Sequence, residues 1–199
     1  MAERTPRRRL TPRGRERRRQ LVDYAARRFA ENGFHPTSVS DIVSGVGVGK
    51  GVFYWYFDSK EQLFLEILRD AQQDLRRAQQ HAIGDASDPV ERIELGTRAS
   101  MHWFAANRHL VNLFQFASTE ERFAPALRRG QEVALADAVK HVKDGIVAGT
   151  IRDSAPEVLA NAMLGVIGHL ARELIQLRGE DPDAVADAAI AFCLDGLRG

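Results

Sequence analysis

A run of glycines that leads into aromatic residues, GVGVGKGVFYWYF at residues 45–57, constrains the fold more than any other stretch. Glycine loops that hold a nucleotide phosphate follow a β-strand, and the best known of them ends in the order GK[ST]. Here Lys50 is followed by Gly51, and the run comes after Val39, Ile42 and Val43, which recur at helical spacing. The stretch is therefore not predicted to bind a nucleotide.

Two short helices joined at a glycine corner fit the same stretch better. Ser38 followed by Asp41 resembles a capping box with a shortened acid, which predicts a helix over residues 38–45. Gly47 supplies the positive φ that a tight turn requires, and a second helix is predicted over residues 49–56. Two short helices with a glycine-containing turn predict a helix-turn-helix.

The second of these helices is predicted to have a buried face and an exposed face. Phe53 and Phe57 are four residues apart and are expected in the core. Tyr54 and Trp55 point to the side of Gly51, where a hydroxyl or an indole N–H can donate to a phosphate; a core position for both rings is the alternative. Glycine costs a helix about 0.8–1 kcal/mol relative to alanine. We infer that another surface approaches this backbone closely, as docking in a DNA major groove requires.

Helical periodicity continues through the rest of the chain, and no stretch alternates as a half-buried strand would. The first clear linker is GDASDP at residues 84–89. Longer helices are predicted over residues 89–106, 109–118, 124–148, 155–178 and 182–197. The predicted fold is all-α with about nine helices, three short ones first and longer ones after.

The N-terminal end is strongly basic. Residues 1–20 carry nine arginines and two glutamates, a net charge of +7, whereas the whole chain carries +1, which leaves −6 for the remainder. A basic arm on an acidic body is typical of a protein that places one end on a polyanion. Residues 1–12, with two prolines, are predicted to be disordered in the free protein. The arginines expected to reach a DNA backbone are Arg13, Arg15, Arg17 and Arg18.

Composition and motifs argue against several other classes of protein. Cys193 is the only cysteine, so no intramolecular disulfide and no Cys-X-X-Cys metal site are predicted, and a reducing cytoplasm is favoured. The sequence has no run of eighteen apolar residues and no signal-peptide pattern, which argues against a membrane span.

Because no HExxH motif, ExxH pair or Ser-His-Asp set is readable, we predict no enzyme activity, catalytic residue, metal or cofactor. A protein-interaction module is the remaining alternative, against which the basic arm argues.

Residues 17–68 resemble the DNA-binding segment of the TetR family of bacterial transcriptional repressors, from a basic first helix through FAENG to YWYFDSKEQL. The resemblance implies a dimeric, all-helical repressor of a pseudo-palindromic double-stranded DNA operator. It further implies a C-terminal bundle that binds a small molecule, which changes the spacing of the two recognition helices and releases the operator. The domains expected on this basis are a basic arm at 1–12, a helix-turn-helix domain at 13–60, and a ligand-binding and dimerisation domain at 61–199.

Carried over by position, the resemblance implies DNA contacts from both short helices and from the start of the next helix. The residues are Ser38, Ser40, Lys50, Gly51, Val52, Tyr54 and Trp55, with Lys60 on a phosphate. Gly49 lacks a hydroxyl that is common at its position, and Tyr56 stands where His is common. Val52 replaces a small polar residue, and an apolar side chain favours a thymine methyl over a hydrogen bond. Few direct hydrogen bonds to bases are therefore expected.

A ligand pocket is expected where aromatic residues gather in the C-terminal part. The candidates are His102, Trp103, Phe104, Asn107, Phe114 and His169. Pockets for small molecules combine aromatic walls with a few polar groups, and each of these residues is alternatively an ordinary core or surface group. The expected effector is apolar or amphipathic, and a lipid-like acyl compound, an aromatic metabolite and a drug-like cation all remain open.

The last two helices are expected to form the dimer interface. The helix predicted at 155–178 is apolar on more than one side, so it must be covered on more than one side. The helix at 182–197 carries small residues that allow close packing, and the two together predict a four-helix interface with a two-fold mate. The interface candidates are Leu159, Met163, Leu170, Leu174, Ala188 and Phe192. A monomer whose last helices cap its own core is the alternative.

Overall fold

The computed structural model describes residues 10–197. Within that range the chain forms nine α-helices: α1 (Pro12–Asn32), α2 (Val39–Val46), α3 (Lys50–Tyr56), α4 (Lys60–Ile83), α5 (Pro89–Ala106), α6 (Arg108–Thr119), α7 (Ala124–Val147), α8 (Pro156–Leu170) and α9 (Pro182–Leu197). Helix α8 continues without a break as a π-helical segment, Ala171–Arg178. The prediction of an all-α fold of about nine helices is confirmed.

The first helix begins inside the segment that was expected to be disordered. Thr11 is its N-cap, with a hydroxyl that accepts from the Gly14 backbone N–H at 3.1 Å, and Pro12 occupies the first helical position. A side-chain cap and an N-terminal proline both favour helix initiation. The predicted disorder is therefore wrong for residues 10–12, and residues 1–9 lie outside the described residues.

The chain divides into two compact units, one that ends at Ile67 and one that begins at Leu68. The division falls seven residues after the predicted boundary between residues 60 and 61. The reason is that the first two turns of α4 contribute buried side chains to the first unit, among them Leu63 and Phe64. A long helix can contribute buried side chains first to one core and then to the next. A domain boundary predicted from the capping signal at the start of the helix therefore falls too early.

An aromatic cluster forms the core of the first unit. The Phe29 and Phe34 rings lie 5.3 Å apart, and the Phe64 ring lies 5.6 Å from the first and 5.0 Å from the second. Tilted and edge-to-face contacts of this kind stabilise a core beyond the area that they bury. Phe53 and Phe57 of α3 are fully buried, as the four-residue spacing predicted.

The corner between α2 and α3 has the local structure that the sequence predicts. Ser38 and Asp41 form both hydrogen bonds of a capping box at the start of α2. Gly47 ends α2 in the left-handed conformation, with φ 70° and ψ 39°, and Gly49 begins α3 with no side-chain cap. The ring of Tyr24 in α1 lies so close to Gly45 that a Cβ added there would overlap it. Glycine at this position therefore lets α1 and α2 approach closely.

Buried side chains of α5, α7, α8 and α9 form the core of the second unit. Met101, Val142, Ala160, Ile175 and Ala189 are each fully buried. Ion pairs at the edges join the helices in pairs, with Arg92–Asp144 at 3.1 Å and Arg76–Asp137 at 2.7 Å. Such partly exposed pairs contribute little compared with the apolar core.

Among the described residues, one helix is long and apolar enough to cross a membrane by length and composition alone. It is the continuous helix Pro156–Arg178, of which one third of the most apolar part is buried. Leu159, Met163 and Ile167 of this helix belong to the core of the second unit. A core helix of a globular protein passes the same test. The packing of its buried side indicates that this helix is a core helix of the second unit.

Candidate nucleic-acid interface

Helix α3 turns an exposed face away from the core of the first unit. Lys50 and Gly51 are exposed, Val52 is half-buried, and Tyr54 and Trp55 are 55% and 57% exposed. A large aromatic residue with half of its surface in water is unusual for a helix with two fully buried phenylalanines. The structure thus puts the predicted DNA contacts of α3 on one accessible surface.

An open groove runs along this face, and we call it the α3 groove. Its lining residues are Gly51, Val52, Trp55 and Tyr56, and its volume is 370 Å³. A Cβ added at Gly51 would meet no described atom within 4 Å, so the backbone itself forms the floor. The Trp55 and Tyr56 rings meet edge to face with centroids 4.5 Å apart, which fixes one wall.

The beginning of α1 lies beside Tyr56. The Tyr56 hydroxyl is 3.6 Å from the position that a Cβ of Gly14 would take. This contact brings the basic first turns of α1, which carry Arg13 and Arg15, to the rim of the α3 groove. Arg15 donates to the Leu10 carbonyl at 2.9 Å and remains exposed. Tyr56, whose role the sequence left open, thus lies against the start of α1.

Three arginines that are adjacent in sequence have different surroundings in the structure: Arg17, Arg18 and Arg19. Arg19 is bound to Glu16 of the preceding turn at 2.9 Å, and this hydrogen bond lowers the pKa of the Glu16 carboxyl. Arg17 is half-buried. Arg18 forms an ion pair with the buried Glu66 and lies over the Phe57 ring, 5.3 Å from its centroid.

The expectation that Arg18 reaches a DNA backbone is therefore corrected. Its guanidinium neutralises a carboxylate that is only 6% exposed, and a buried charge is tolerated only with such a partner. The guanidinium also covers the ring of Phe57. Arg18 holds α1 and α4 together in the first unit, a role that the run of arginines in the sequence concealed.

Lys60 also has a different position from the one expected. Its ammonium group donates to the backbone carbonyls of Phe34, at 2.7 Å, and of Thr37, at 2.8 Å, and lies 4.3 Å from the centroid of the Phe34 ring. A third carbonyl, that of His35, lies at 3.3 Å. These contacts direct the charge towards the loop before α2. We therefore replace the predicted phosphate contact of Lys60 by a structural role in that loop.

The two serines of α2 differ in what their side chains do. The Ser38 hydroxyl donates to the Asp41 carboxylate at 2.7 Å and accepts from the Asp41 backbone N–H at 3.2 Å. Hydrogen bonds from Ser38 lower the pKa of the Asp41 carboxyl. Ser38 therefore serves first as a cap, whereas Ser40 is exposed as the second residue of the helix. The neighbouring Thr37 is buried and donates to the Gly33 carbonyl at 2.8 Å, a contact that sequence reasoning missed.

Comparison with known proteins gives this geometry its context. Residues 21–67 match the family model described as bacterial regulatory proteins, tetR family. The transcriptional repressor KstR2 of Rhodococcus jostii is 34% identical over 99 residues, which are 50% of this chain and 48% of that protein. The uncharacterised transcriptional regulator YdgC of Bacillus subtilis is 23% identical over 94% of this chain and 96% of its own length. The solved structure of KstR2 of Mycobacterium tuberculosis, 24% identical, superposes with a TM-score of 0.72 over 92% of this chain and 95% of that one.

The helix-turn-helix part of the chain, residues 21–67, matches the TetR family. The chain is accordingly a DNA-binding transcriptional regulator, with α2 and α3 as its helix-turn-helix. The relatives are transcriptional regulators and not enzymes, in agreement with the prediction from the sequence. The two-helix corner, the aromatic run and the capping signals are the features that made this family recognisable in the sequence.

The aromatic residues of the TetR ligand-binding part lie at the junction of α4, α5 and α6. Trp103 is buried, its indole N–H donates to Asp74 at 2.9 Å, and its ring is stacked on Phe114 with centroids 6.3 Å apart. This hydrogen bond lowers the pKa of the Asp74 carboxyl. Phe104 packs against the core, and Asn107 donates to the Trp103 carbonyl at 2.9 Å, which ends α5. These four predicted residues therefore come together.

The two histidines expected in the ligand pocket lie elsewhere. His102 is exposed and contacts Asp183 of α9 at 2.9 Å, and His169 is exposed on α8. Both expectations are corrected, because helical rotation turns these side chains outwards, away from the buried residues next to them. The buried polar side chains of this unit are instead Thr97 and Ser100, and Ser100 accepts from Gln79 at 2.9 Å.

The residues expected at a TetR dimer interface separate into buried and exposed groups. Leu159 and Met163 lie in the core of the second unit, and Leu170 and Leu174 pack against it. Leu159 and Met163 are corrected to core residues, because the apolar stripe chosen from the sequence is the inward one. Ala188 and the 67% exposed Phe192 lie on the outer side of α9.

Proposed function

We propose that this TetR-family protein is a dimeric repressor, which binds a pseudo-palindromic double-stranded DNA operator and leaves it when a small apolar or amphipathic effector binds. The observation that carries the proposal is the exposed face of α3, where the uncovered backbone of Gly51 lies between Lys50 and Trp55. A helix without a side chain at its outer surface allows the close approach that major-groove binding needs. We also place this activity in the cytoplasm, where bacterial DNA lies.

The proposed DNA contacts fall into a reading group and a backbone group. The reading group is Lys50, Gly51, Val52, Tyr54 and Trp55 on α3, with Ser40 on α2. Arg13, Arg15 and Arg17 on the first turns of α1 form the backbone group, supported by the contact between Gly14 and Tyr56. Phosphate contacts position a protein on DNA, whereas base contacts give specificity.

An exposed stripe on α8 and α9 supports the proposed dimer. On α8 it includes Val158, which is 63% exposed, with Ala162 and Gly165 one and two turns later. On α9 it includes Ala188 and Phe192. Apolar and small residues exposed at helical spacing on two neighbouring helices fit a four-helix contact with a second copy. Two copies would carry the two reading helices that paired half-sites need.

The proposed effector site is the region around Trp103 and Phe114. A stacked aromatic pair, with the buried hydroxyls of Thr97 and Ser100 on the preceding two turns of α5, has the composition of a pocket for a mainly apolar molecule. Mass spectrometry of small molecules that co-purify with the protein would identify candidates. An added candidate should quench or shift Trp103 emission in a Trp55→Phe variant, in which Trp103 is the only tryptophan.

The decisive experiment measures binding of the purified protein to the DNA upstream of its own reading frame. Gel retardation with and without excess random DNA should give a complex that resists the competitor and contains two protein chains. An identified effector should dissolve that complex. Binding that random DNA removes completely would contradict specific operator recognition at this site.

A further inference from the structure

We propose that the α3 groove reads the C5-methyl group of a pyrimidine, so that each operator half-site carries a thymine opposite Val52. This inference rests on the proposed function and adds the chemical group that gives the protein its specificity. The open groove is 370 Å³ in volume and is lined by the exposed Gly51 and Trp55 and the half-buried Val52 and Tyr56. It is therefore the part of this surface where a group projecting from DNA would fit.

The lining of the groove suits an apolar group. Val52 presents a branched side chain with a stiff χ1 angle, held half-buried, and Gly51 contributes only backbone. The Trp55 ring is fixed edge to face against Tyr56, so the wall is formed before anything binds. Apart from Lys50, helix α3, KGVFYWY, has none of the side chains (Arg, Lys, Asn and Gln) that make paired hydrogen bonds with guanine or adenine.

The major groove of DNA offers one prominent apolar substituent, the C5-methyl of thymine. The other groups on the base edges there are hydrogen-bond donors and acceptors, and the lining of the α3 groove offers few hydrogen-bond partners for them. A groove that encloses the methyl group thus distinguishes thymine from cytosine without a hydrogen bond. The same contact would accept the methyl group of 5-methylcytosine.

The charges around the groove indicate DNA as the occupant. Lys50 begins α3, and the start of α1, which carries the exposed Arg13 and Arg15, lies next to Tyr56 of the lining. An apolar strip with cations at its ends matches a methyl group flanked by phosphates. A free apolar molecule would leave these cations unused.

The inference is tested with a duplex that the protein itself selects from a random-sequence pool. Each thymine is replaced in turn by deoxyuridine, symmetrically in both half-sites, which removes only a methyl group and keeps the base pair. Fluorescence anisotropy should show one position where affinity falls roughly fourfold per half-site, the value for loss of one buried methyl group. A cytosine there should weaken binding further, and 5-methylcytosine should recover part of the loss.

Val52→Ala should make the protein insensitive to deoxyuridine at that position, because the partner of the methyl group is gone. Val133→Ala is the matched control, an exposed valine on α7 outside α3 that should leave the deoxyuridine effect unchanged. If no deoxyuridine duplex binds more weakly than the selected one, or if Val52→Ala keeps the same loss, the inference is wrong while DNA binding stands. Failure to select any duplex would instead contradict the proposed function.

Discussion

At the scale of single residues, the proposed function depends on a glycine that costs its helix stability and makes no side-chain contact inside the fold. Gly51 is the second residue of α3, and its Cβ position is open. Val52 and Trp55 beside it form an apolar surface in water, although the unit has a well-packed core nearby. Local structure and function thus make opposite demands on these positions, as is expected at a functional site.

Gly51→Ala should separate these demands. Alanine removes the entropic cost of glycine in a helix, so the free energy of unfolding should rise by about 0.5–1 kcal/mol. Affinity for the operator should fall at least tenfold, an order-of-magnitude estimate for a backbone that can no longer approach the base edges. Thermal unfolding and fluorescence anisotropy on one preparation measure both quantities.

Gly96→Ala is the control for this prediction, since Gly96 lies within α5 and an added Cβ would meet Ile83 at an ordinary 3.5 Å. It should raise stability similarly and leave DNA affinity unchanged. A Gly51→Ala variant with normal affinity would show that the DNA does not come close to the α3 backbone.

At the scale of elements, α1 carries arginines of two kinds, and substitution should distinguish them. Arg18→Ala removes the ion pair with the buried Glu66, which should lower the free energy of unfolding by about 3 kcal/mol. Arg15→Ala, at an exposed position, should leave stability unchanged and weaken binding to all DNA sequences alike. Urea unfolding measures the stability of the two variants, and DNA titration measures their affinity for DNA. Equal stability of the two variants would contradict the structural role of Arg18.

The start of α2 should respond to acid through its capping box. The pKa of Asp41 is lowered in the folded protein, chiefly by the side-chain hydrogen bond from Ser38. The stabilisation is therefore complete above the unfolded pKa of about 4 and is lost as the pH falls through the lower folded value. The difference in Tm between the wild type and Asp41→Asn should be largest near neutral pH and should vanish in acid.

Ser38→Ala provides the control for the capping box, because it removes the main cause of the lowered pKa. In the Ser38→Ala background, Asp41→Asn should change Tm less at neutral pH, and this Tm difference should depend less on pH. A pH-independent difference in the wild-type background would show that the Asp41 charge does not stabilise α2.

At the scale of the whole molecule, the proposed dimer depends on the outer stripe of α8 and α9. Phe192→Asp puts a charge where the two copies would meet, and burying an unpaired charge is costly. Light scattering should show a monomer, and affinity for a complete operator should fall to that for a half-site. Val133→Asp introduces the same charge at an exposed position of α7 and should leave the dimer intact.

The basic end of the chain should make DNA binding strongly dependent on salt. The logarithm of the association constant should fall with the logarithm of the salt concentration, with a slope of about −0.9 for each phosphate neutralised. Arg15→Ala should make this slope less steep by the contribution of about one phosphate contact per protomer. Deletion of residues 1–9 should have less effect than neutralisation of the arginines of α1. An affinity that does not change with salt would exclude this electrostatic contribution.

Signals that lie close together in the sequence predicted the helix-turn-helix almost completely. The capping pair Ser38 and Asp41, the left-handed corner at Gly47 and the spacing of Phe53 and Phe57 each depend on interactions within a few residues. Local backbone preference and helical period decide such features, so one sequence is enough to find them. The exposed face of α3 followed from the same period.

Partners distant in sequence decided the remaining assignments. The sequence could not show that Arg18 pairs with Glu66, that Lys60 binds the carbonyls before α2, or that Leu159 faces inwards. An arginine or a lysine has the same sequence signature whether it faces a phosphate or a buried carboxylate, and a helix apolar on two sides does not show which side is covered. The sequence by itself therefore determined the helices, the corner and the family, because these depend on short-range chemistry. Only the tertiary structure decided which charges remain at the surface for DNA, because that depends on which side chains the folded chain brings together.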